Sequence, residues 1–372
     1  MKRIHFFLVV IGLIWIGGVV VYLSKAPATL GSGPLSEKIL EEDSKVVSDD
    51  DRPTKPVYTC EHIDLVYTWV NGSEPEHIKS RSDRAGHKRY SSPGNNRFRD
   101  LMGLKYSLRS VKKFAPWIRN VWVVSASQYP SWFDQQSSTN VRFIFHKDYY
   151  TNQEDLPTFN SNSIESNFHS LPDEVSDCFI YFNDDIFIGA PININDFWDP
   201  VYGQAIYKSS WTAPQPKEKQ ANIWHACIAY TNELLNSLWE VDNTGRHYAS
   251  HGHQFFYKKL LQRMYADLET DFKSTSGNPF RTAKDLQIPF LYLQYVIRYY
   301  ATYEPAGINY YALIQDDLEK MKKEYARILA KKSKTYCLND GLSQDKPNEE
   351  VVKELEIMFE KYFGDSKGEW EL

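Results

Sequence analysis

Four short apolar runs restrict this chain to few architectures. Ile63–Val70 (IDLVYTWV), Asn120–Ser125 (NVWVVS), Val141–His146 (VRFIFH) and Cys178–Phe182 (CFIYF) are β-branched and aromatic, as buried strands should be. Between the first two, Leu101, Leu104, Leu108, Val111 and Phe114 recur at three- and four-residue spacing, and Pro116 closes that helix. Ile164, Phe168 and Leu171 form a shorter helical stripe, stopped by Pro172. Alternating strands and helices imply a mostly parallel sheet with helices on both faces.

Beyond about residue 225 the pattern reads as helical, over Tyr230–Glu240, Gln254–Phe272, Asp285–Ala301, Ala312–Lys332 and Glu349–Phe363. The expected fold is therefore α/β. A Rossmann-like or GT-A-like core spans about 58–224, and a helix-rich part spans about 225–372. The chain's start differs from everything after it. Lys2 and Arg3 precede a nearly charge-free run from Ile4 to Leu23, long enough to cross roughly 30 Å of hydrocarbon. Ser24-Lys25-Ala26 is a poor cleavage site, so residues 1–25 read as an uncleaved single-pass anchor with a cytoplasmic tip (type II) rather than a removed signal. Residues 26–57, with four prolines and Asp49-Asp50-Asp51, read as a flexible stem.

Composition narrows the function by exclusion. Lys and Arg number 43 against 48 Asp and Glu, with no long basic run, so a nucleic-acid partner is not expected. The four cysteines include no C-x-x-C pair, which removes the usual structural zinc knot. If Cys60, Cys178, Cys227 and Cys337 all pair, three connectivities are open; Cys178 could instead be a buried free thiol. There is no Gly-rich phosphate loop, G-x-S-x-G elbow or H-E-x-x-H.

Ligands of open α/β sheets bind beyond the carboxyl ends of the strands. There Phe179–Gly189 (FIYFNDDIFIG) runs an apolar strand straight into Asp184-Asp185. Paired carboxylates at such a point suit Mg²⁺, or Mn²⁺, which in turn holds phosphate oxygens. Successive strand residues face opposite ways, so both Asp ligate only if the chain has already turned; one ligand with one supporting residue is the alternative. Asp64, inside a buried strand, needs either a ligand or a partner network. Asn71-Gly72 is either a ligand-approaching turn or simply a turn, and Asn71-Gly72-Ser73 is the chain's one glycosylation sequon. Arg97, Arg99 and Arg109 flank the first long helix, with Lys105 between them, and could neutralise a dianionic donor; Arg281 offers another such cation. Glu165 and His169 share a helix face. Among His247, His251 and His253, a single catalytic base is a better reading than a zinc site.

These segments, in order, resemble the Stealth family. IDLVYTWVNG (63–72), RFRD…YSLRSVKKFAPWIRNVWVVS (97–125) and LPTFNSNSIESNFH…FIYFNDDIFIG (156–189) are similar to its first two blocks; HGH…FRTAKD (251–285) and CLNDG…YFGDSKGEWEL (337–372) are similar to the third and fourth. The family holds bacterial capsule sugar-phosphate transferases and the α/β subunit of the GlcNAc-1-phosphotransferase. The resemblance implies transfer of a sugar-1-phosphate from a UDP-sugar donor to a glycan acceptor, with UMP leaving. It implies roles for Asp64, Trp69, Asn71, Arg97 and Arg109 in substrate binding, and for Asp184 and Asp185 at a metal. It also implies catalytic roles for Glu165, Asp185, His251 and Arg281, with either Glu165 or His251 as base. One run departs from the family pattern: Asp100-Leu101-Met102-Gly103-Leu104-Lys105-Tyr106 lacks the usual Asn and Glu, which bears on donor or acceptor identity. A GT-A-type glycosyltransferase releasing UDP is the nearest competitor, although adjacent acids replace its Asp-x-Asp, and an inactive glycan binder is the third reading. The anchor would place the enzyme in a secretory-pathway membrane, the Golgi in a eukaryote, and a homodimer is left open.

Overall fold

The computed structural model describes residues 53–86, 95–137, 139–214, 220–243 and 245–372. The expected anchor and most of the stem lie outside them; among the described residues no helix is long and apolar enough to cross a membrane.

The sheet that carries the molecule has four parallel strands, β1 (Ile63–Thr68), β2 (Val121–Ser125), β3 (Val141–Phe145) and β4 (Cys178–Asn183), in spatial order β4-β1-β2-β3. Each coincides with an expected strand. All of β2, and β1 and β4 except their last residues, are buried, which explains why these runs are continuously apolar rather than alternating. Helix α1 (Gly103–Phe114) lays Leu104, Leu108 and Val111 into the same core. Its first residue must be glycine, because a Cβ there would lie 2.3 Å from the carbonyl oxygen of Asp184. Helix α2 (Ser161–Ser166) is the shorter expected stripe, finished by a 3-10 turn over Phe168–Ser170.

The second half departs from its helical expectation. After β5 (Ile186–Ile188) and α3 (Ile223–Trp239), Gln254–Tyr257 forms strand β6, paired antiparallel to β4 at the edge of the main sheet. Helix begins only at Lys258, as two pieces, Lys258–Asp267 and Glu269–Ser276. Likewise Asn309–Ile314 is strand β7, and helix α4 covers only Leu318–Lys331. Strand β8 (Thr335–Asp340) then pairs with both β7 and β5 in a three-stranded sheet. QFFY and NYYALI are short apolar runs whose state is decided by the strand edges they meet, not by their own periodicity. The α/β architecture therefore does not stop near residue 224. With α5 (Glu349–Phe363), the second sheet buries its own cluster, including Tyr325, Ile328, Leu355 and Phe359.

Cys60 and Cys178 form a disulfide with Cα atoms 5.6 Å apart, while Cys227 and Cys337 are free and buried. This removes the free-thiol alternative for Cys178. The bridge sits where β4 begins, at the end of the sheet opposite Asp184-Asp185.

Candidate active site

A cleft of about 890 Å³ opens beyond the carboxyl ends of β1, β2 and β4, with Thr68, Ala126 and Asn183 among its walls. Asp184 and Asp185 form the tight turn between β4 and β5, and thus the junction of the two sheets. The chain has turned before either carboxylate is placed, so both line the cleft. The Asn339 amide donates to Asp185 Oδ2 at 3.2 Å, and the Cys337 thiol lies 3.6 Å from the same oxygen. Asp185 Oδ1 is buried with no hydrogen-bond partner. Burial, followed by the charges of Asp185 and Asp100, pushes the Asp184 carboxyl well above its usual range. Asp100 is itself pushed up by burial, against a hydrogen bond from the Met102 amide at 2.7 Å.

Guanidinium groups line the same cleft. Arg281 donates to Ser161 Oγ at 2.6 Å, and its Nε is buried without a partner. Its loop is held by the fully buried Asp285, which accepts from the Thr282 amide at 2.9 Å and the Asn278 side chain at 2.7 Å. Asn160 ties this loop to α2: it caps the helix through the Asn162 amide and donates to Asp285 at 2.7 Å. Arg97 also lines the cleft, and its guanidinium is held below its usual value by burial and by the like charge of Arg281.

Two candidate bases complete the set. Glu165, on α2, is only 6% exposed. Its Oε1 accepts from Tyr181 at 3.0 Å, while Oε2 is buried without a partner. Burial raises its carboxyl to about 7, against the pull of Tyr181 and Arg281. His251 is exposed at the rim; its Nδ1 lies 3.3 Å from Cys337 Sγ, and its ring meets Tyr311 edge to face.

Trp69 joins the cleft wall. Three expected binding residues do not. Asp64 is fully buried outside the cleft, accepting from Arg119 at 2.7 and 2.9 Å, the Trp122 indole at 2.9 Å and the Ser176 amide at 2.9 Å. It is the network alternative: a strand carboxylate paid off by donors at the amino end of the sheet. Asn71 closes an Asx turn onto Ser73, which is its plain-turn reading. Arg109 faces away from the cleft and clasps Glu371 through two bonds of 2.7 and 2.8 Å. His169, likewise outside the cleft, bonds the Ser166 carbonyl, and burial lowers the outlying His253 to about 4.

Sequence reasoning missed Asn160, Tyr181 and Asn339. Asn339 had a visible signal, since TYCLND repeats the pattern of an apolar run entering Asn-Asp that marks FIYFND.

Among the described residues no group of three or more His, Cys, Asp or Glu is arranged to hold a metal ion alone. The Asp turn nevertheless fits a hard divalent cation. It has a buried carboxylate oxygen without a donor and crowded carboxyls whose repulsion a cation would relieve. Mg²⁺ is commonly held by one or two carboxylates, with phosphate and water in its other positions.

The fold and cleft define an α/β protein with carboxylates and guanidinium groups lining one cleft at its strand ends. Residues 61–89, 97–206 and 250–298 match Stealth protein conserved regions 1, 2 and 3. The chain belongs to the Stealth family. It is 29% identical over 318 residues to an exopolysaccharide phosphotransferase of Streptomyces coelicolor, covering 81% of this chain and 55% of that protein. A second such protein from the same organism is 31% identical over 308 residues, covering 81% and 32%. A capsular polysaccharide phosphotransferase of Haemophilus influenzae is 27% identical over 294 residues, covering 76% and 79%. The chain thus spans about half or less of the Streptomyces relatives it matches. The crystal structure of the galactosyltransferase LgtC with donor and acceptor sugar analogues aligns at 10% identity with a TM-score of 0.40, covering 80% of this chain and 96% of that one.

Proposed function

We propose that the protein transfers a sugar-1-phosphate from a UDP-sugar to a glycan hydroxyl, forming a phosphodiester and releasing UMP. The observation that carries this reading is one cleft holding the Asp184-Asp185 turn, the Arg97–Arg281 pair and a buried carboxyl raised to about 7. Phosphoryl transfer depends on positioning and charge neutralisation more than on covalent chemistry, and these walls supply both. The names of the Streptomyces and Haemophilus relatives support the reaction class.

In this mechanism the acceptor oxygen attacks the phosphorus that bears the sugar, and the bond from that phosphorus to the bridging oxygen of UMP breaks. Arg281 and Arg97 stabilise the equatorial phosphoryl oxygens. Glu165 or His251 takes the acceptor proton. Asp185, with Asp184 beside it, would hold Mg²⁺ or Mn²⁺, which would offset charge on the diphosphate. Asn339 holds Asp185 Oδ2, leaving Oδ1 as the available ligand oxygen. The apolar run Ile4–Leu23 supports a type II anchor, and with it a secretory-pathway, Golgi-type location in a eukaryote.

The test is the identity of the released nucleotide. The protein is incubated with Mg²⁺, a panel of UDP-sugars and a mixed glycan pool. Acceptor-dependent UMP is expected; UDP would mean cleavage on the sugar side of the diphosphate, and this reading would give way to a glycosyltransferase.

A further inference from the structure

An aromatic wall runs from the outer surface to the catalytic groups, and the phosphotransfer chemistry leaves it unused. Trp211 lies on the strand Lys208–Thr212, where exposure alternates residue by residue. Its indole stacks on that of Trp224, near the start of α3, with ring centroids 5.7 Å apart and planes 19° from parallel. Trp224 in turn meets Tyr248 edge to face at 5.0 Å. Both Trp224 and Tyr248 line the cleft, together with Asn222 and Gln287. The two tryptophans are neither fully buried nor fully exposed, so a half-open aromatic face borders the cleft. Tyr248 continues the wall inward, lining the same cleft as Gln287, Glu165 and Arg281.

The geometry points to the Trp211–Trp224–Tyr248 wall as the glycan-acceptor subsite, which delivers the attacking hydroxyl to Glu165 rather than to His251. A pyranose ring has an apolar C–H face and a polar hydroxyl edge. A half-exposed indole stack flanked by side-chain amides matches that combination, whereas a diphosphate requires the cationic wall already assigned to Arg97 and Arg281. Continuity of the wall with the cleft sets the occupant: a sugar seated against Trp224 has its inner edge directed along Tyr248 toward the buried Glu165 carboxyl. The assignment rests on the phosphotransfer reading only for which group the hydroxyl attacks.

The test uses the full chain and two measurements. The first is binding of fluorescein-labelled oligosaccharides, with neutral hexose, N-acetylhexosamine and uronate backbones, in the absence of donor. The second is UMP release with UDP-sugar and Mg²⁺, with and without oligosaccharide. Trp224→Ala is expected to weaken the best-bound oligosaccharide about tenfold, the upper end for one aromatic contact. Trp224→Phe should retain most of the binding. Trp211→Ala, at a less enclosed position, gives a second variant with a loss of about threefold should Trp224→Ala fail to fold. Equal oligosaccharide binding by variants and wild type, or no binding of any member of the set, overturns the assignment. Binding that depends on Trp224 while UDP or no nucleotide is released keeps the subsite and overturns the phosphotransfer reading.

Discussion

Replacing Glu165 by Gln separates the cost of burying a carboxylate from its use in catalysis. The carboxyl rises from 4.5 to about 7 because it is buried, with Oε2 unpartnered. A carboxyl whose folded value exceeds its unfolded value binds its proton more tightly in the native state. Its favourable contribution is therefore complete below pH 4.5 and is lost as pH rises through 7. A shift of this size corresponds to about 3 kcal/mol between the two limits. Gln keeps an oxygen for the Tyr181 hydroxyl and carries no charge at any pH. Glu165→Gln should therefore gain about 3 kcal/mol relative to wild type when denaturant unfolding is compared at pH 4 and pH 8.5 in EDTA. The wild-type stability should fall over that window where the variant's does not. If the stability difference between the two proteins is the same at both pH values, the carboxyl is not held protonated by burial. The case for a base poised near neutrality would then fail. The kcat/KM of the wild type should rise through about pH 7 as Glu165 ionises, and the variant should lack that limb.

Asp185→Ala should lower turnover by about 10²–10³ with an unfolding midpoint close to wild type, and near-wild-type turnover removes it from the mechanism. His251→Ala should lose far less than Glu165→Gln; the reverse order makes His251 the base. Asp64→Asn should cost about 1–3 kcal/mol by leaving the Trp122 indole and the Ser176 amide short of an acceptor, yet leave the donor KM of the folded fraction unchanged. A raised donor KM without lost stability would return Asp64 to the binding site. Arg109→Ala should cost about 3–5 kcal/mol, because Glu371, with a side chain 1% exposed, keeps only the Gly368 amide at 2.9 Å and Lys105 at 3.8 Å. Glu371 titrates below its usual value, so this contribution is present at neutral pH and fades as the solution is acidified. A double variant lacking both charges should recover part of the loss, and its failure to do so would show that the pair contributes little.

The parallel sheet was legible because β1, β2 and β4 are buried on both faces, so sequence composition and environment agree. The Asp184-Asp185 turn followed from the same logic, since a buried strand running into two acids leaves few neutral explanations. What escaped was pairing at a distance. Gln254–Tyr257 becomes a strand because the edge of β4 accepts it, and nothing local distinguishes it from the first turn of the helix that follows. The outcome for charged residues had the same cause. Asp64 lies on an apolar strand and Asp185 just past the end of one; the first meets Arg119 and Trp122, while the second meets an amide and keeps a bare oxygen. Sequence spacing cannot separate these two situations, because the deciding donors lie about 55 and 150 residues away.

Strand β8 has a consequence for biosynthesis. Asp185 is synthesised early, but the Asn339 and Cys337 contacts that orient it come from a strand made about 150 residues later. A nascent chain can assemble most of its parallel sheet while its acidic turn is still unbraced. Catalytic competence thus arrives only when the second sheet closes over β5, a late and non-local pairing. Quality control during translation therefore meets a chain that folds before it can act, and a ribosome-stalled fragment should be compact yet inert.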